Sequence, residues 1–150
     1  MSQILPQLWL SGAREAYDSQ WLGRHHITHI VNCATELSNQ FPGRFKYLHL
    51  RMSDHPMQIL YPSVEFAARF IQAAIRDGGV VLVHCAAGVS RSVSTVVYYL
   101  MTRHGMTHSQ ALMHVIDRRP HANPNVGFLA QIRNFYTLEY PRTQRMTYRV

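Results

Sequence analysis

A cysteine and an arginine separated by five residues form the most informative segment of this 150-residue chain. Cys85 and Arg91 enclose Ala-Ala-Gly-Val-Ser, and a helix-forming run follows at once. A loop of this length can turn its backbone N–H groups toward one oxyanion, and the positive end of the new helix points to the same place. Such surroundings stabilise a thiolate, and the planar fork of an arginine holds two oxygens of a phosphoryl group. The segment therefore favours phosphoryl transfer to the sulfur of Cys85.

A second interpretation of the same residues is a buried cysteine followed by an ordinary strand-to-helix turn, because cysteine is among the most buried residue types. This interpretation does not explain why Gly88, Ser90 and Arg91 occupy the spacing that an anion-binding loop requires. We therefore prefer the nucleophile.

The elements that must position this loop follow from hydrophobic periodicity. Strands are predicted over 4–10, 27–33, 45–50 and 80–83, and helices over 13–24, 61–76, 91–103, 107–118 and 126–139. Thr107 and Gln110 form a capping-box pattern at the start of one helix. This order predicts a single α/β domain over 1–150, with a central, largely parallel sheet of about five strands, helices on both faces and a flexible tail at about 141–150. Ligands of such sheets bind at the carboxyl ends of the strands, where Cys85 falls.

The loop and its flanks together resemble a known family. The sequence from His84 to Ser92 resembles the His-Cys, five residues, Arg signature of the cysteine-dependent phosphatases, and within them the small atypical dual-specificity protein phosphatases. Further similarities are Asp54 in Ser-Asp-His-Pro, the Tyr-Tyr-Leu-Met run at 98–101 and Pro-Asn-Val-Gly-Phe at 124–128. The resemblance extends from about residue 4 to about residue 140.

The resemblance implies roles for the matching residues. Cys85 would carry a phosphocysteine intermediate, while Arg91 and the loop residues His84, Ala86, Ala87, Gly88, Val89 and Ser90 would form the phosphate-binding loop. His84 would orient Cys85 rather than touch the substrate. Ser92 would donate a hydrogen bond to the departing thiolate, and Asp54 would act as general acid and then as general base. By position alone, a surface turn is the favoured interpretation of Asp54, and the family resemblance is what favours the catalytic role.

Two further residues each have two interpretations. Asn125 is either a helix N-cap or a brace for the phosphate loop, and in both cases a supporting residue rather than a catalytic one. Cys33 ends a strand that can lie beside the catalytic strand, so it is either a redox partner for Cys85 or a packed core cysteine.

Composition restricts the partners. The formal net charge is +7, and Arg118, Arg119, Arg142, Arg145 and Arg149 are expected to contribute to a basic surface. Such a surface favours acidic or phosphorylated partners, and the scattered basic residues do not indicate a nucleic-acid motif. The ten histidines lack recognisable metal spacing, so we expect neither a metal site nor a cofactor. No apolar stretch reaches membrane-spanning length, and two cysteines with a thiolate nucleophile fit a reducing compartment, the cytoplasm or the nucleus.

The sequence therefore predicts a protein phosphatase acting on phosphotyrosine and on phosphoserine or phosphothreonine, as the resemblance implies. Ala86, Ala87 and Val89 leave the loop neutral, which favours phosphoproteins over phosphoinositides as substrates. Two alternatives remain: a phosphoprotein-binding module without turnover, and a phosphatase acting on phospholipid, glycan or RNA 5′-phosphates. The oligomeric state is open between a monomer and a weak dimer.

Overall fold

Five strands form one sheet at the centre of the computed structural model, which describes residues 1–137. The strands are β1 (Ser2–Leu5), β2 (Leu8–Ser11), β3 (His29–Asn32), β4 (Lys46–His49) and β5 (Val81–His84), in the order β1-β2-β5-β3-β4. The β1–β2 pair is antiparallel and the other three pairs are parallel. The predicted five-stranded, largely parallel sheet is therefore confirmed.

The helices lie on both faces of this sheet. They are α1 (Ala13–Ala16), α2 (Ser19–Arg24), α3 (Ser63–Arg76), α4 (Arg91–Arg103), α5 (His108–Arg118) and α6 (Val126–Thr137). Val81 and Val83 of β5 belong to the larger core cluster with α3 to α6, whereas Leu82 belongs to a smaller cluster with α2. This alternation, with all four residues of β5 buried, is what a central parallel strand requires.

Helix α4 runs through the middle of the larger core cluster. Its eleven residues from Arg91 to Met101 are all buried, so neighbouring elements surround the helix instead of leaving one face in solvent. Because α4 begins at Arg91, directly after the predicted phosphate loop, the start of this buried helix fixes the end of the loop.

The N-terminal region differs from the prediction in two places. The predicted strand over 4–10 is a hairpin of β1 and β2, because Pro6 cannot donate a ladder hydrogen bond and the chain turns at Pro6-Gln7. The predicted helix over 13–24 is divided into α1 and α2, because Asp18 accepts a hydrogen bond from Trp21 N–H at 3.0 Å and starts a new helix as its N-cap.

The later elements agree with the prediction to within two residues where the structure describes them. The capping box of α5 is confirmed, with Thr107 Oγ1 accepting from Gln110 N–H and Gln110 Oε1 accepting from Thr107 N–H. Residues 138–139 of the last predicted helix and the tail at 141–150 lie outside the described residues. Within 1–137, none of the helices combines the length and apolar character needed to span a bilayer.

Candidate active site

The loop between β5 and α4 begins at the central strand of the sheet. His84 pairs with Ser11 of β2 on one side and Asn32 of β3 on the other, so Cys85 leaves the sheet between two parallel neighbours. Gly88 has a φ of +69°, and a Cβ there would come within 2.7 Å of the Ser11 carbonyl carbon. Glycine is therefore required at this position for both backbone conformation and space.

Residues outside the loop bind the carbonyl groups on its outer side. Every carbonyl from Ala86 to Ser90 accepts a hydrogen bond from beyond the loop. Three donors are backbone N–H groups: Ala13 to Ala86 at 2.9 Å, Asn123 to Val89 at 2.8 Å, and Ser94 to Ser90 at 2.9 Å. The Arg119 side chain donates the other two, to Ala87 at 3.3 Å and to Gly88 at 2.7 Å. In a trans peptide the N–H points opposite to the C=O, so the next N–H groups point inward. The loop therefore forms a cup whose inward N–H groups can bind an anion.

The sulfur of Cys85 lies inside this cup. Gly88 N–H donates to Cys85 Sγ at 3.3 Å, and Ser92 Oγ lies 3.1 Å from the same sulfur. Cys85 and Ser92 are both buried, so these hydrogen bonds are shielded from water. The sequence prediction that Ser92 contacts the sulfur agrees with this geometry.

Arg91 starts α4 at the end of the loop, and its guanidinium interacts electrostatically with Cys85. Its two terminal nitrogens bind the Glu36 carboxylate end-on, with Nη1 donating at 2.6 Å and Nη2 at 2.8 Å. Nη1 also donates to the Met52 carbonyl at 3.0 Å. Buried Nε has no partner within the described part of the chain. The remaining side-on fork, Nε with the second hydrogen of Nη2, is the arrangement that binds two phosphoryl oxygens.

Asp54 lies across the cleft on an exposed turn after β4. Its Oδ1 accepts a hydrogen bond from Asn125 Nδ2 at 2.9 Å, and its charge contributes to the raised pKa of Arg91, whose main cause is the Glu36 hydrogen bond. Asn125 also donates its backbone N–H to Ser90 Oγ at 3.0 Å and accepts from Phe128 N–H at 2.9 Å. Asn125 therefore both caps α6 and joins the turn of Asp54 to the loop.

Comparison with known proteins identifies the family. The family model "Dual specificity phosphatase, catalytic domain" matches residues 8–138. The chain belongs to the dual-specificity phosphatase family. Protein phosphatase Slingshot homolog 3 of Mus musculus is 42% identical over 134 residues, which are 89% of this chain and 21% of that protein. Dual specificity protein phosphatase 1 of Arabidopsis thaliana is 42% identical over 133 residues, 89% of this chain and 67% of that protein.

Solved structures of this family have the same fold. DUSP15 superposes with a TM-score of 0.90 at 32% identity, covering 97% of this chain and 93% of that one. The human tyrosine phosphatase-like serine/threonine/tyrosine-interacting protein superposes with a TM-score of 0.86 at 34% identity, covering 93% and 97%. The solved chains and this chain therefore cover each other almost completely, whereas the chain spans only 21% of the Slingshot relative.

Glu36 is a site residue of this phosphatase domain that sequence reasoning missed. The hydrogen bonds from Arg91 lower the pKa of Glu36 to about 2, so it is a carboxylate at neutral pH. It occupies the far side of the guanidinium and so leaves the side-on fork toward the cup. Its position just after β3, at the carboxyl edge of a parallel strand next to β5, is the signal that could have identified it.

Arg119 lies in a different place from the one expected. The sequence suggested a contribution to the basic surface, but the structure buries Arg119 behind the loop, where it binds Ala87, Gly88 and Ser2 Oγ. Burial lowers the pKa of Arg119, although an arginine stays charged at neutral pH. The physical reason is that the loop carbonyls need a donor with several N–H groups, and a guanidinium supplies them.

His84 lies beneath the nucleophile and is 1% exposed. Its Nδ1 is 3.4 Å from the Cys85 carbonyl oxygen, and burial lowers the pKa of His84 to about 4. The imidazole is therefore neutral at pH 7. It contacts the backbone of Cys85, and the expected role of orienting Cys85 stays a prediction.

Cys33 directly follows β3, the strand next to β5, which ends at Asn32, one residue before the predicted end. Its Sγ donates to Thr95 Oγ1 at 3.5 Å, and burial raises the pKa of the thiol. Because a neutral thiol attacks an oxidised sulfur slowly, these surroundings favour the packed-core interpretation over the redox partner, which stays a prediction.

The histidines near the N-terminus have other contacts. His25 stacks on Trp21 with ring centroids 4.2 Å apart, and His29 Nδ1 lies 2.6 Å from Thr28 Oγ1. Within residues 1–137, no group of three or more His, Cys, Asp or Glu side chains is arranged to hold a metal ion.

Proposed function

We propose that this chain hydrolyses phosphotyrosine and phosphoserine or phosphothreonine in proteins through a phosphocysteine on Cys85. The observation that carries the proposal is that one short loop combines three groups: the sulfur of Cys85, backbone N–H groups whose carbonyls are bound from outside, and Arg91, whose Nε has no partner within residues 1–137. Membership of the dual-specificity phosphatase family supports the same chemistry.

In the first step the thiolate of Cys85 attacks phosphorus, and the bond from phosphorus to the ester oxygen breaks. The loop N–H groups and the side-on fork of Arg91 bind the three other oxygens as their charge changes in the transition state. The leaving oxygen takes a proton from Asp54. Asn125 holds Oδ1 of Asp54, which leaves Oδ2 to carry that proton.

In the second step water attacks phosphorus and the S–P bond breaks. Asp54, now a carboxylate, takes a proton from the water, and the electron pair of the S–P bond returns to sulfur. Ser92 Oγ, 3.1 Å from Cys85 Sγ, donates a hydrogen bond to the sulfur as it regains its charge. Ser92 therefore contributes most to the hydrolysis of the intermediate.

The proposed substrates are phosphorylated proteins in a reducing compartment, the cytoplasm or the nucleus. The neutral interior of the loop contacts a single phosphate, and a net charge of +7 favours association with acidic, phosphorylated partners. The site needs no metal or cofactor, because the arginine fork and the loop N–H groups supply the positive charge.

A generic aryl phosphate tests the chemistry directly. We expect the wild-type protein to hydrolyse it and Cys85→Ser to lose about 10⁴-fold or more of that activity with an unchanged circular dichroism spectrum. Binding of a phosphopeptide without turnover by the wild-type protein would instead indicate a binding module. Turnover of phosphoinositides or RNA 5′-phosphates well above that of phosphotyrosine and phosphothreonine peptides would contradict a protein substrate.

A further inference from the structure

Exposed apolar side chains are concentrated on two adjoining segments beside the cleft. Eight large apolar side chains are exposed among the described residues, and three of these lie there: Met57, Ile59 and Val126. Single exposed apolar residues are normal on a protein surface, whereas a group of them indicates a contact surface. The group formed by Met57, Ile59 and Val126 is here named the apolar shelf.

Contacts beneath the apolar shelf hold its two segments together. Pro56 packs so closely on Gly127 that a Cβ at Gly127 would overlap the Pro56 carbonyl. Gln131 of α6 clamps the other end, because its Oε1 accepts from Leu60 N–H at 2.8 Å and its Nε2 donates to the Gln58 carbonyl at 2.8 Å. Met57 and Ile59 therefore protrude from a backbone that is fixed to α6.

The apolar shelf is continuous with the catalytic cleft. Asn125, next to Val126, binds both Asp54 and Ser90, and Met57 is three residues from Asp54. Three residues of extended chain span about 10 Å at most. Residues 56–60, Pro-Met-Gln-Ile-Leu, carry no charge, so the apolar shelf itself offers contact area rather than a partner for an ion.

We propose that the apolar shelf binds a large aliphatic side chain of the phosphoprotein substrate, within about three positions of the phosphorylated residue. This inference rests on the proposed function and adds a preference for sequence. Burying one such side chain favours the matching substrate about tenfold over one with a small polar residue. The cup binds the phosphate of any substrate, and the apolar shelf distinguishes between them.

The test uses phosphopeptides that differ at one position. A set of peptides carries either Leu or Ser at each of the three positions before and after the phosphorylated residue, and an aryl phosphate reports the chemistry alone. We expect kcat/KM to be about tenfold higher with Leu at one or more positions. In Met57→Ser/Ile59→Ser this preference should fall to about one, with aryl phosphate turnover unchanged.

Met113 provides the matched control, because it is a large apolar side chain on α5, 53% exposed and outside the apolar shelf. Met113→Ser should retain the Leu preference. Equal turnover of Leu and Ser peptides by the wild-type protein, with aryl phosphate hydrolysis intact, overturns the apolar shelf and leaves the proposed function standing. Loss of a dimer in sedimentation of the double variant, without a change in peptide preference, assigns the surface to a second copy and overturns the proposal.

Discussion

The two sides of the cleft are built differently. On the side of Cys85, the loop carbonyls are bound by backbone N–H groups and by buried Arg119, and Ser92 and His84 are almost fully enclosed. On the side of Asp54, an exposed turn is held to the loop by the side-chain amide of Asn125. The difference fits the proposed chemistry, because oxyanion binding benefits from rigid, shielded donors, whereas a proton donor must meet substrate and then water.

Removing Asp54, the proposed proton donor, should separate the two sides of the cleft most clearly. Asp54→Asn is expected to lower kcat about 100-fold on an alkyl phosphate such as a phosphothreonine peptide, because the leaving alkoxide needs a proton. On an activated aryl phosphate, whose leaving group is stable as an anion, the loss should be severalfold. Steady-state kinetics on both esters measure the ratio.

Asp77, the C-cap residue of α3, supplies the control for this measurement. Asp77→Asn should leave both substrates unaffected. Equal losses on the two esters in Asp54→Asn would remove Asp54 from the role of general acid.

The enclosed side should also respond to pH through its stability. His84 has a pKa of about 4 in the folded protein because it is buried, and about 6.5 when unfolded. Below pH 6.5 the unfolded chain binds the proton first, so stability falls between pH 6.5 and 4. At pH 5 this effect of His84 lowers the free energy of unfolding by about 2 kcal/mol.

Urea unfolding at pH 7 and pH 5 measures this loss. The variant His84→Gln should lose less stability over the interval than the wild-type protein, since the other histidines are common to both. Glu36 and Glu65, whose hydrogen bonds with arginines hold their pKa values near 2, contribute mainly below pH 4.5. Parallel pH curves for the two proteins would show that His84 is not the group responsible.

Weakening the support behind the loop should affect all substrates alike. Arg119→Lys keeps the positive charge but has one nitrogen where Arg119 uses Nε, Nη1 and Nη2. We expect kcat/KM to fall about tenfold on aryl and alkyl phosphates equally, with a matching rise in the inhibition constant of an oxyanion such as vanadate. Arg118→Lys, on the exposed neighbour, is the control. An unchanged inhibition constant would mean that Arg119 only stabilises the fold.

Weakening the support of Asp54 should have the smallest and most selective effect. Asn125→Ser preserves an N-cap for α6 but removes the amide that holds Oδ1 of Asp54. We expect a loss of about threefold to fivefold on alkyl phosphates and little change on aryl phosphates. If instead both substrates lose activity equally, Asn125 acts on the loop through Ser90 and not on Asp54.

The loop itself was predictable because its residues are neighbours in sequence. Cys85, Gly88, Arg91 and Ser92 follow an apolar strand and start a helix, so motif and periodicity identify the cup together. Asp54 and Asn125 were identified by resemblance, and the structure brings them within a hydrogen bond of each other.

Glu36 and Arg119 were not predictable in the same way. They lie 55 residues before Arg91 and 31 residues after Gly88, and only the order of strands and the packing of α5 bring them to the loop. Glutamate and arginine are usually exposed, so the hydrophobic periodicity of the sequence predicts a surface position for both residues. The division of the N-terminal helix has a local cause, the capping preference of Asp18, which competed with the hydrophobic pattern.

The partners of the loop carbonyls also bear on the order in which the molecule can mature. Ala13 lies far upstream of the loop, whereas Arg119 and Asn123 follow it by about thirty residues. A chain emerging from the ribosome therefore carries Cys85, the proposed nucleophile, before Arg119 and Asn123, which bind carbonyls of the loop. These residues lie in the last quarter of the domain, so a translation product that ends before them would contain Cys85 but would lack groups that hold the loop in its binding conformation.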